Sequence, residues 1–281
     1  MVNFNGNIVS TQEYLISINN RGLNYGDALF ETIKVVSDKI LFWEDHYFRL
    51  MASMRILRME IPMNFTMEFL ENEIKKTINS FKNPSEAYRV KILINRKEGG
   101  KYTPITNGID YFIIVESLDT PFYVFKEETY QIGLFKDYYI QSNLLSTLKT
   151  TSKITNVLGS IFAKENGFQN CILLNDQKQV VEALNGNIFM VNGDTIVTAP
   201  LTDGCLKGII RKQIISICNQ SKELTLIEKS ISPFDLQKAD ELFITNVIVG
   251  IQSVTNFRKK QYETKVAKEI LQKLNVMARL S

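Results

Sequence analysis

Histidine and cysteine are both scarce in this sequence. One histidine, His46, and three cysteines occur among 281 residues. The cysteines, Cys171, Cys205 and Cys218, are odd in number and lack C-x-x-C spacing, which argues against a disulfide framework and a thiolate metal site. Catalytic triads and multi-histidine metal centres depend on imidazole groups. We therefore expect reduced, packed thiols, no metal ion, and a proton carrier other than histidine.

An excess of one charge and long apolar runs are also lacking. The 33 basic and 30 acidic residues give a net charge of +3, and the basic residues form no stripe, so nucleic-acid binding is not favoured. The start of the chain lacks the basic and apolar regions of a signal peptide, and no apolar run approaches the roughly 18 residues of a membrane span. We expect a cytoplasmic protein that acts on a small molecule, without nucleic acid or membrane.

The residues that are present show the pattern of a globular protein. Hydrophobic residues make up 44% of the chain, and its length suits one large domain or two of roughly 120 to 160 residues. The periodic pattern breaks around Asp119 and Pro121. We predict a first domain over residues 1–118, an interdomain loop over 119–125 and a second domain over 126–281.

Local patterns predict mixed strands and helices in both domains. In the first domain, β-rich segments suggest a hairpin over 30–43, and two helices follow, the second capped by Asn64. In the second domain, a helix ends at Gly167, and Asn192-Gly193 marks a hairpin turn. The other main elements expected are strands at 88–95, 111–115, 171–174 and 241–245, a helix from about 208 and a closing helix over 264–277.

Several segments carry side chains suited to chemistry, and each also has an ordinary structural reading. Lys149 precedes a helix; most lysines are solvated, whereas a sheltered amine can form a Schiff base. Glu182 ends an apolar strand, where a carboxylate either reaches water or needs a cationic partner. The Gly208 turn leads into a helix whose N-terminus suits a phosphate, and Arg49 suits bidentate anion binding unless it faces solvent. The glycine-rich segment 20–32 matches no phosphate-loop or dinucleotide motif.

Together these segments resemble the class IV aminotransferases, the fold-type IV pyridoxal-phosphate enzymes. That family includes branched-chain and D-amino-acid aminotransferases and 4-amino-4-deoxychorismate lyase. The similarity runs in the family's order through NRGLNYGDALFET, HYFRL, LKTTSKITNVLGSIFAKENG, VVEALNGNIFMV, LKGIIR and DELFITNVIVGIQSV. It implies a mixed α+β or α/β fold, with a small N-terminal α/β domain and a larger C-terminal domain that combines a β-barrel-like core with helices.

The resemblance implies pyridoxal 5'-phosphate as the cofactor. Lys149 takes the Schiff-base position, and Glu182 lies beside the pyridine nitrogen. Lys153 competes for the covalent role, but the family's spacing to Gly167 favours Lys149. Where relatives have the threonine of GITR this chain has Ile210, so only the backbone amide can bind phosphate there. The implied phosphate ligands are Arg49, the amides of Ile209 and Ile210, and Asn246.

The resemblance also implies a homodimer with the site near its interface. On the substrate side we expect Tyr25, Phe30, Arg96 and Lys101. Lys101 stands where relatives have an arginine that receives the substrate carboxylate, and lysine supplies charge without the bidentate fork.

The shared residues leave the reaction open between a lyase and a transaminase. The loop RKEGGKY and the segment TNVI resemble 4-amino-4-deoxychorismate lyase, which makes 4-aminobenzoate and pyruvate, whereas Phe30-Glu31 is the pair usual in transaminases. We favour the lyase, with a branched-chain or D-amino-acid aminotransferase as the alternative. A third possibility is a non-enzymatic relative without the cofactor, against which Lys149, Glu182 and Arg49 argue.

Overall fold

The computed structural model describes residues 1–12, 16–81 and 84–280. The described chain divides into two compact units, Met1–Pro121 with Lys149–Ser152, and Phe122–Leu148 with Lys153–Leu280. The main division falls within the loop that the sequence analysis placed between its two domains. The segment 149–152, which returns to the first unit, has no counterpart in that prediction.

The first unit consists of three pairs of consecutive strands, separated by one short helix and then by two longer helices. Its elements in chain order are β1 (Val2–Phe4), β2 (Asn7–Val9), α1 (Arg21–Tyr25), β3 (Ala28–Val36), β4 (Lys39–Ile40), α2 (Trp43–Ile56), α3 (Met67–Asn79), β5 (Ala87–Arg96) and β6 (Ile109–Leu118).

These strands form an antiparallel sheet. Among the described residues the strand order is β2-β1-β6-β5-β3-β4. Helix α2 contacts β3, and α3 contacts β6 and β1. Leu50 and Met54 on α2, and Leu70 and Ile74 on α3, are buried at a spacing of four residues, so each helix turns one apolar stripe inward.

The structure corrects the sequence prediction at two points in this unit. Thr66, rather than Asn64, caps α3, since its Oγ1 accepts the Phe69 amide at 3.1 Å. The β1–β2 hairpin was not predicted, because its strands are only three residues long and leave too short a pattern to read.

The second unit contains the longer run of elements. They are β7 (Gln131–Leu134), a 3-10 helix (Leu144–Thr147), α4 (Ile154–Glu165), β8 (Asn170–Leu174), β9 (Val180–Ala183), β10 (Asn187–Asn192), β11 (Thr195–Thr198), a 3-10 helix (Leu201–Asp203), α5 (Ile209–Gln220), β12 (Thr225–Glu228), α6 (Pro233–Leu236), β13 (Glu241–Asn246), β14 (Gly250–Val254), β15 (Asn256–Phe257), β16 (Lys260–Gln261) and α7 (Lys265–Leu280).

Two sheets are present among the described residues of this unit. Their strand orders are β12-β11-β10-β13-β14 and β16-β15-β7-β8-β9. Helices α5 and α7 contact β13 and each other. The Glu241 carboxylate accepts the amides of Val266 and Ala267 at the start of α7, which anchors that helix to the sheet. Of the helices described in either unit, none has the length and apolar character that a membrane crossing requires.

Helix α4 is held close to the end of β9. A Cβ on Gly159 would lie 2.4 Å from Leu184 Cδ2, so a larger residue there would require the Leu184 side chain to shift. Asn156 Nδ2 also donates to the Leu184 carbonyl at 2.8 Å. Because Lys153 precedes the first residue of α4, these contacts fix where that lysine lies relative to β9.

Candidate active site

A buried carboxylate lies near the end of β9. Glu182 is 9% exposed. Its Oε2 accepts the backbone amide of Leu206 at 2.9 Å. The turn that precedes α5 is therefore tied to the same carboxylate.

Lys153 is close enough to Glu182 for their charges to interact. Burial lowers the pKa of the Lys153 amine, and the negative charge of Glu182 partly opposes that shift. A lowered pKa leaves more of the amine neutral and nucleophilic near neutral pH. The second unit thus combines a desolvated amine with a buried acid.

The start of α5 is shaped to receive an anion. Its N-cap, Gly208, provides no side-chain cap. The Asn187 Oδ1 atom lies 2.0 Å from where a Gly208 Cβ would be, so any larger residue would collide with it. Asn187 Nδ2 donates to the Leu206 carbonyl at 2.9 Å and so orders the turn. Helix N-termini of this kind bind phosphates through their backbone amides and dipole.

Asn246 closes the end of β13. Its Oδ1 accepts the amides of Ile248 at 3.1 Å and Val249 at 3.0 Å, which folds the chain into a tight turn. The side-chain oxygen is thereby used within the protein, so a phosphate contact from this side chain would come from its Nδ2 group.

The predicted Schiff-base residue Lys149 lies in the first unit. Its carbonyl accepts the Phe30 amide at 2.9 Å. Its Nζ lies 4.5 Å from the centroid of the Phe30 ring, and the Nζ of Lys91 lies 5.1 Å from the same centroid. The amine is therefore seated on an aromatic ring of its own unit.

Arg49 makes a bidentate ion pair with Glu31 in the first unit. Its Nε donates to Glu31 Oε1 at 2.8 Å, Nη2 donates to Oε2, and His46 Nδ1 lies 2.7 Å from Oε2. Burial alone would raise the pKa of the Glu31 carboxyl, but Arg49 and His46 together lower it to about 2. Burial lowers the pKa of His46, with Arg49 and Lys149 adding to the effect and Glu31 opposing it. The phosphate role predicted for Arg49 rests on the resemblance alone.

Arg96 is engaged by protein acceptors. Its Nε donates to Asp27 Oδ2 at 2.9 Å, and its Nη atoms donate to the carbonyls of Leu57 and Arg58 and to Asn107 Oδ1. The residue is 7% exposed. These contacts hold parts of the first unit together, and the substrate role suggested for Arg96 by its loop motif stays a prediction.

The other predicted substrate residues lie near one loop of the first unit. Lys101 is exposed, and its carbonyl accepts Arg21 Nη1 at 2.6 Å. The ring of Tyr25 lies 5.8 Å from that of Tyr102. Phe30 is half-buried on β3. A substrate contact by Tyr25, Phe30 or Lys101 remains a prediction.

Some residues of these clusters were missed from the sequence although signals were present. Asn187 is the asparagine of the E-x-x-x-x-N block that begins at Glu182. Glu31 and His46 belong to two of the quoted motifs, yet their pairing depends on β3 lying beside α2, which local patterns do not reveal. The three cysteines are free and buried, as expected.

The chain as a whole matches a known family. Residues 28–257 match the family model described as amino-transferase class IV, and the chain belongs to that family. A D-alanine aminotransferase of Bacillus licheniformis is 24% identical, with 90% of this chain and 87% of that protein covered. An aminodeoxychorismate lyase of Vibrio harveyi is 25% identical, with 85% and 86% covered. The crystal structure of the branched-chain aminotransferase of Thermoproteus uzoniensis with norvaline has a TM-score of 0.87 at 24% identity, over 97% of this chain and 92% of that one.

These matches confirm several expectations. The fold is that of the fold-type IV enzymes, because a second solved structure, the Escherichia coli branched-chain aminotransferase, also reaches a TM-score of 0.87. Class IV aminotransferases are pyridoxal-phosphate enzymes, so the chain is an enzyme and pyridoxal 5'-phosphate is its cofactor. The non-enzymatic alternative is thereby set aside. The residues of the second unit fit this cofactor, since the start of α5 has no side-chain cap on its backbone amides and Glu182 is buried near an amine whose pKa is lowered by burial.

Proposed function

We propose that Lys153 is the amine that binds the cofactor aldehyde and that Glu182 lies beside the pyridine nitrogen. The observation that carries this proposal is the interaction of a desolvated amine with a buried carboxylate inside one unit. Spacing along the chain favoured Lys149 instead. That spacing counts residues to Gly167, whereas the proximity of Lys153 to Glu182 depends on how α4 packs against the end of β9.

The residues of the second unit have separate tasks in this proposal. When bound, pyridoxal 5'-phosphate supplies an aldehyde and a ring that accepts electrons from the substrate. The lowered pKa of Lys153 increases the share of neutral Nζ that is available for attack. Once the substrate amine has displaced it, the same Nζ can take a proton from the substrate and return it. The Glu182 carboxylate favours a positive charge on the ring nitrogen, because a buried carboxylate is stabilised by a cationic partner.

The N-terminus of α5 is the proposed phosphate site. The amides of Ile209 and Ile210 lie at the positive end of a 12-residue helix. The Nδ2 group of Asn246 is a further donor, and Arg49 is included on the family resemblance.

Borohydride reduction of the cofactor-loaded protein, followed by peptide mapping, tests the choice of lysine. We expect the reduced cofactor on Lys153. Lys153→Ala should lose both the adduct and the visible absorption of the bound cofactor. Lys149→Ala, changed only four positions away, is the matched control and should keep both. An adduct on Lys149 would contradict the proposal.

For the reaction, we propose the 4-amino-4-deoxychorismate lyase activity. The supporting observation is the turn after β13, where Asn246 of the lyase-like TNVI segment accepts the amides of Ile248, the last residue of that segment, and of Val249, which follows it. The named Vibrio harveyi relative is consistent with this choice.

A transaminase is the second candidate, favoured by the Phe30-Glu31 pair and by the names of other relatives. A paired assay separates the two. Release of pyruvate and 4-aminobenzoate from aminodeoxychorismate, without a keto-acid acceptor, is expected for the lyase. Turnover of leucine or D-alanine that requires 2-oxoglutarate would favour the transaminase.

The proposal includes a homodimer in the cytoplasm. Ile154, Val157 and Ile161 on α4 are each about half or more exposed and share one helical face. Such an exposed apolar stripe is typical of a protein interface. Light scattering should give twice the monomer mass of 32.3 kDa, and Ile161→Glu should lower it. A monomeric wild type would contradict the dimer, and cell fractionation checks the location.

A further inference from the structure

A buried hydroxyl on β13 has no hydrogen-bond partner among the described residues. Thr245 is 2% exposed, and its Oγ1 is one of the few such side-chain atoms. A buried hydroxyl without a partner is costly in a folded protein. An atom of this kind therefore points either to a local imperfection or to a group that binds beside it.

The register of the sheet shows which way Thr245 faces. Thr245 pairs with Asn187 across β13 and β10, and directly paired residues turn their side chains to the same face. The Asn187 side chain lies against Gly208 at the start of α5. Helix α5 also contacts β13. The Thr245 hydroxyl thus faces the side of the sheet on which α5 begins.

The first turn of α5 lacks the threonine hydroxyl that the family's motif has at this position. Ile210 replaces the threonine of the family's GITR motif, so the first turn of α5 offers amides but no hydroxyl from that position. Gly208 adds no side-chain cap. A phosphate bound at the start of α5 would therefore lack the hydroxyl donor that the family's threonine provides. The Thr245 hydroxyl on β13 is a buried donor that no other described residue uses.

We infer that the Thr245 hydroxyl donates to the phosphate group at the start of α5 and supplies the contact that Ile210 cannot make. The inference rests on the phosphate site of the proposed function and adds to it a ligand on a different strand. Thr245 holds the cofactor without taking part in bond making or breaking. Its effect is therefore on the affinity for phosphate-bearing groups.

The chain offers a matched control. Ser253 on β14 is 3% exposed, and its Oγ is likewise buried without a hydrogen-bond partner among the described residues. Ser253 pairs with Phe243, two residues before Thr245 on β13, and so lies further along the strand. Ser253→Ala removes a comparable buried hydroxyl without changing position 245.

The test is calorimetric titration of the full chain, freed of cofactor, with inorganic phosphate and with pyridoxal 5'-phosphate. Thr245→Val should weaken both affinities about tenfold, the loss that about 1.4 kcal/mol produces. Thr245→Ser, which keeps the hydroxyl, and Ser253→Ala should stay within about twofold of wild type. The unfolding temperature of cofactor-free Thr245→Val should equal or exceed that of wild type, because the variant no longer buries an unsatisfied hydroxyl.

Different failures identify different errors. If Thr245→Val binds phosphate and the cofactor as tightly as wild type, the inference is wrong while the phosphate site stands. If the wild type itself binds neither ligand, the proposed phosphate site is wrong. Should the valine variant not fold, Thr245→Ala takes its place with the same expected loss, and unchanged binding by it would equally overturn the inference.

Discussion

Two buried polar sites, the Asp27 cluster of the first unit and the Thr245 region of the second, differ in how far their hydrogen bonds are satisfied. In the first unit, Asp27 Oδ2 accepts the Nε atoms of both Arg21 and Arg96 at 2.9 Å. In the second unit, the start of α5 has no side-chain cap. The Thr245 hydroxyl, which faces the side of the sheet on which α5 begins, has no hydrogen-bond partner among the described residues. A buried network in which charges are paired is typical of a scaffold, whereas incomplete satisfaction is typical of a place that receives a ligand.

The basic residues of the two units differ in the same way: some are paired with carboxylates, and one has a pKa that burial lowers. Arg49 and Arg96 were expected to bind ligands because of their motifs, yet both have carboxylate partners in the structure. The family's spacing disfavours Lys153 as the covalent lysine, yet burial lowers its pKa near Glu182. A motif identifies the residue, but its surroundings indicate whether its charge supports the fold or the chemistry.

The strongest test of the first unit removes the shared acceptor. Asp27→Ala should lower the free energy of unfolding by about 3–5 kcal/mol, because two buried guanidinium groups lose their carboxylate. Arg21 and Arg96 have side chains only 4% and 7% exposed, so water cannot replace it fully. Denaturant unfolding measures the change, and the exposed Asp119→Ala is the control. A loss equal to that of the control would show that the Asp27 cluster is not a scaffold.

The corresponding test of the second unit removes charge from Glu182. Glu182→Gln should lower kcat about a hundredfold, the size of effect seen when one preorganised electrostatic group is lost. Its unfolding temperature should stay close to that of wild type, because an amide of the same shape keeps the acceptor for Leu206. Steady-state kinetics with Glu165→Gln as the exposed control provide the check. Unchanged kcat in Glu182→Gln would remove the carboxylate from the chemistry.

Acid titration sharpens the comparison further. The pKa of Glu31 is lowered to about 2 from an ordinary value of 4.5, so its carboxylate contributes stability that is present above about pH 4.5 and is lost as the pH falls towards 2. Glu31→Gln should lack this loss, so its stability curve should be flatter than that of wild type in that window. Thermal unfolding between pH 5 and 2.5 measures the difference. Glu116→Gln, which breaks an exposed pair with Arg89, is the control and should lose stability with falling pH as wild type does. If Glu31→Gln loses stability in parallel with wild type, the ion pair of Glu31 with Arg49 does not lower the pKa of Glu31.

The smallest effect is expected at Lys34, a buried amine of β3. Burial lowers its pKa from 10.5 to about 8. Between about pH 8 and 10.5 the unfolded chain holds a proton that the folded chain has released, so stability should rise with pH across that window. Lys34→Met should lack the rise, and the exposed Lys97→Met should retain it. Thermal unfolding at pH 7.5 and 9.5 measures the change, and an equal rise in Lys34→Met would contradict the lowered pKa.

Much of the fold was predictable because its patterns are local. The Asn192-Gly193 turn predicts the β10–β11 hairpin, and the spacing of Leu50 and Met54 predicts α2. The division of the chain also falls where Asp119 and Pro121 interrupt the pattern. What was not predictable depends on contacts between distant segments. The Thr66 cap, the return of residues 149–152 to the first unit, and the burial of Arg96 by Leu57 and Asn107 have no local signature.

The site shows the same limit. Glu182 and the Gly208 turn could be proposed from the sequence because their motifs are short and continuous, and the structure shows Glu182 buried and hydrogen-bonded to the Leu206 amide of that turn. The proposal that Lys153 binds the cofactor depends on its lowered pKa near Glu182, and that proximity comes from the way α4 packs against the end of β9. Spacing counts residues along the chain and cannot register that packing.

That packing gives a role to one glycine of α4. Gly159 lies six residues beyond Lys153, roughly 9 Å along α4 at 1.5 Å per residue. A Cβ at this position would lie 2.4 Å from Leu184 Cδ2, the end of a flexible side chain, and 3.4 Å from the Phe135 ring. A larger residue at position 159 would therefore require Leu184 to move, and the contact between α4 and the end of β9 would have to repack. The tolerance of the chain to substitution at this glycine thus depends on how freely one leucine side chain can change its rotamer.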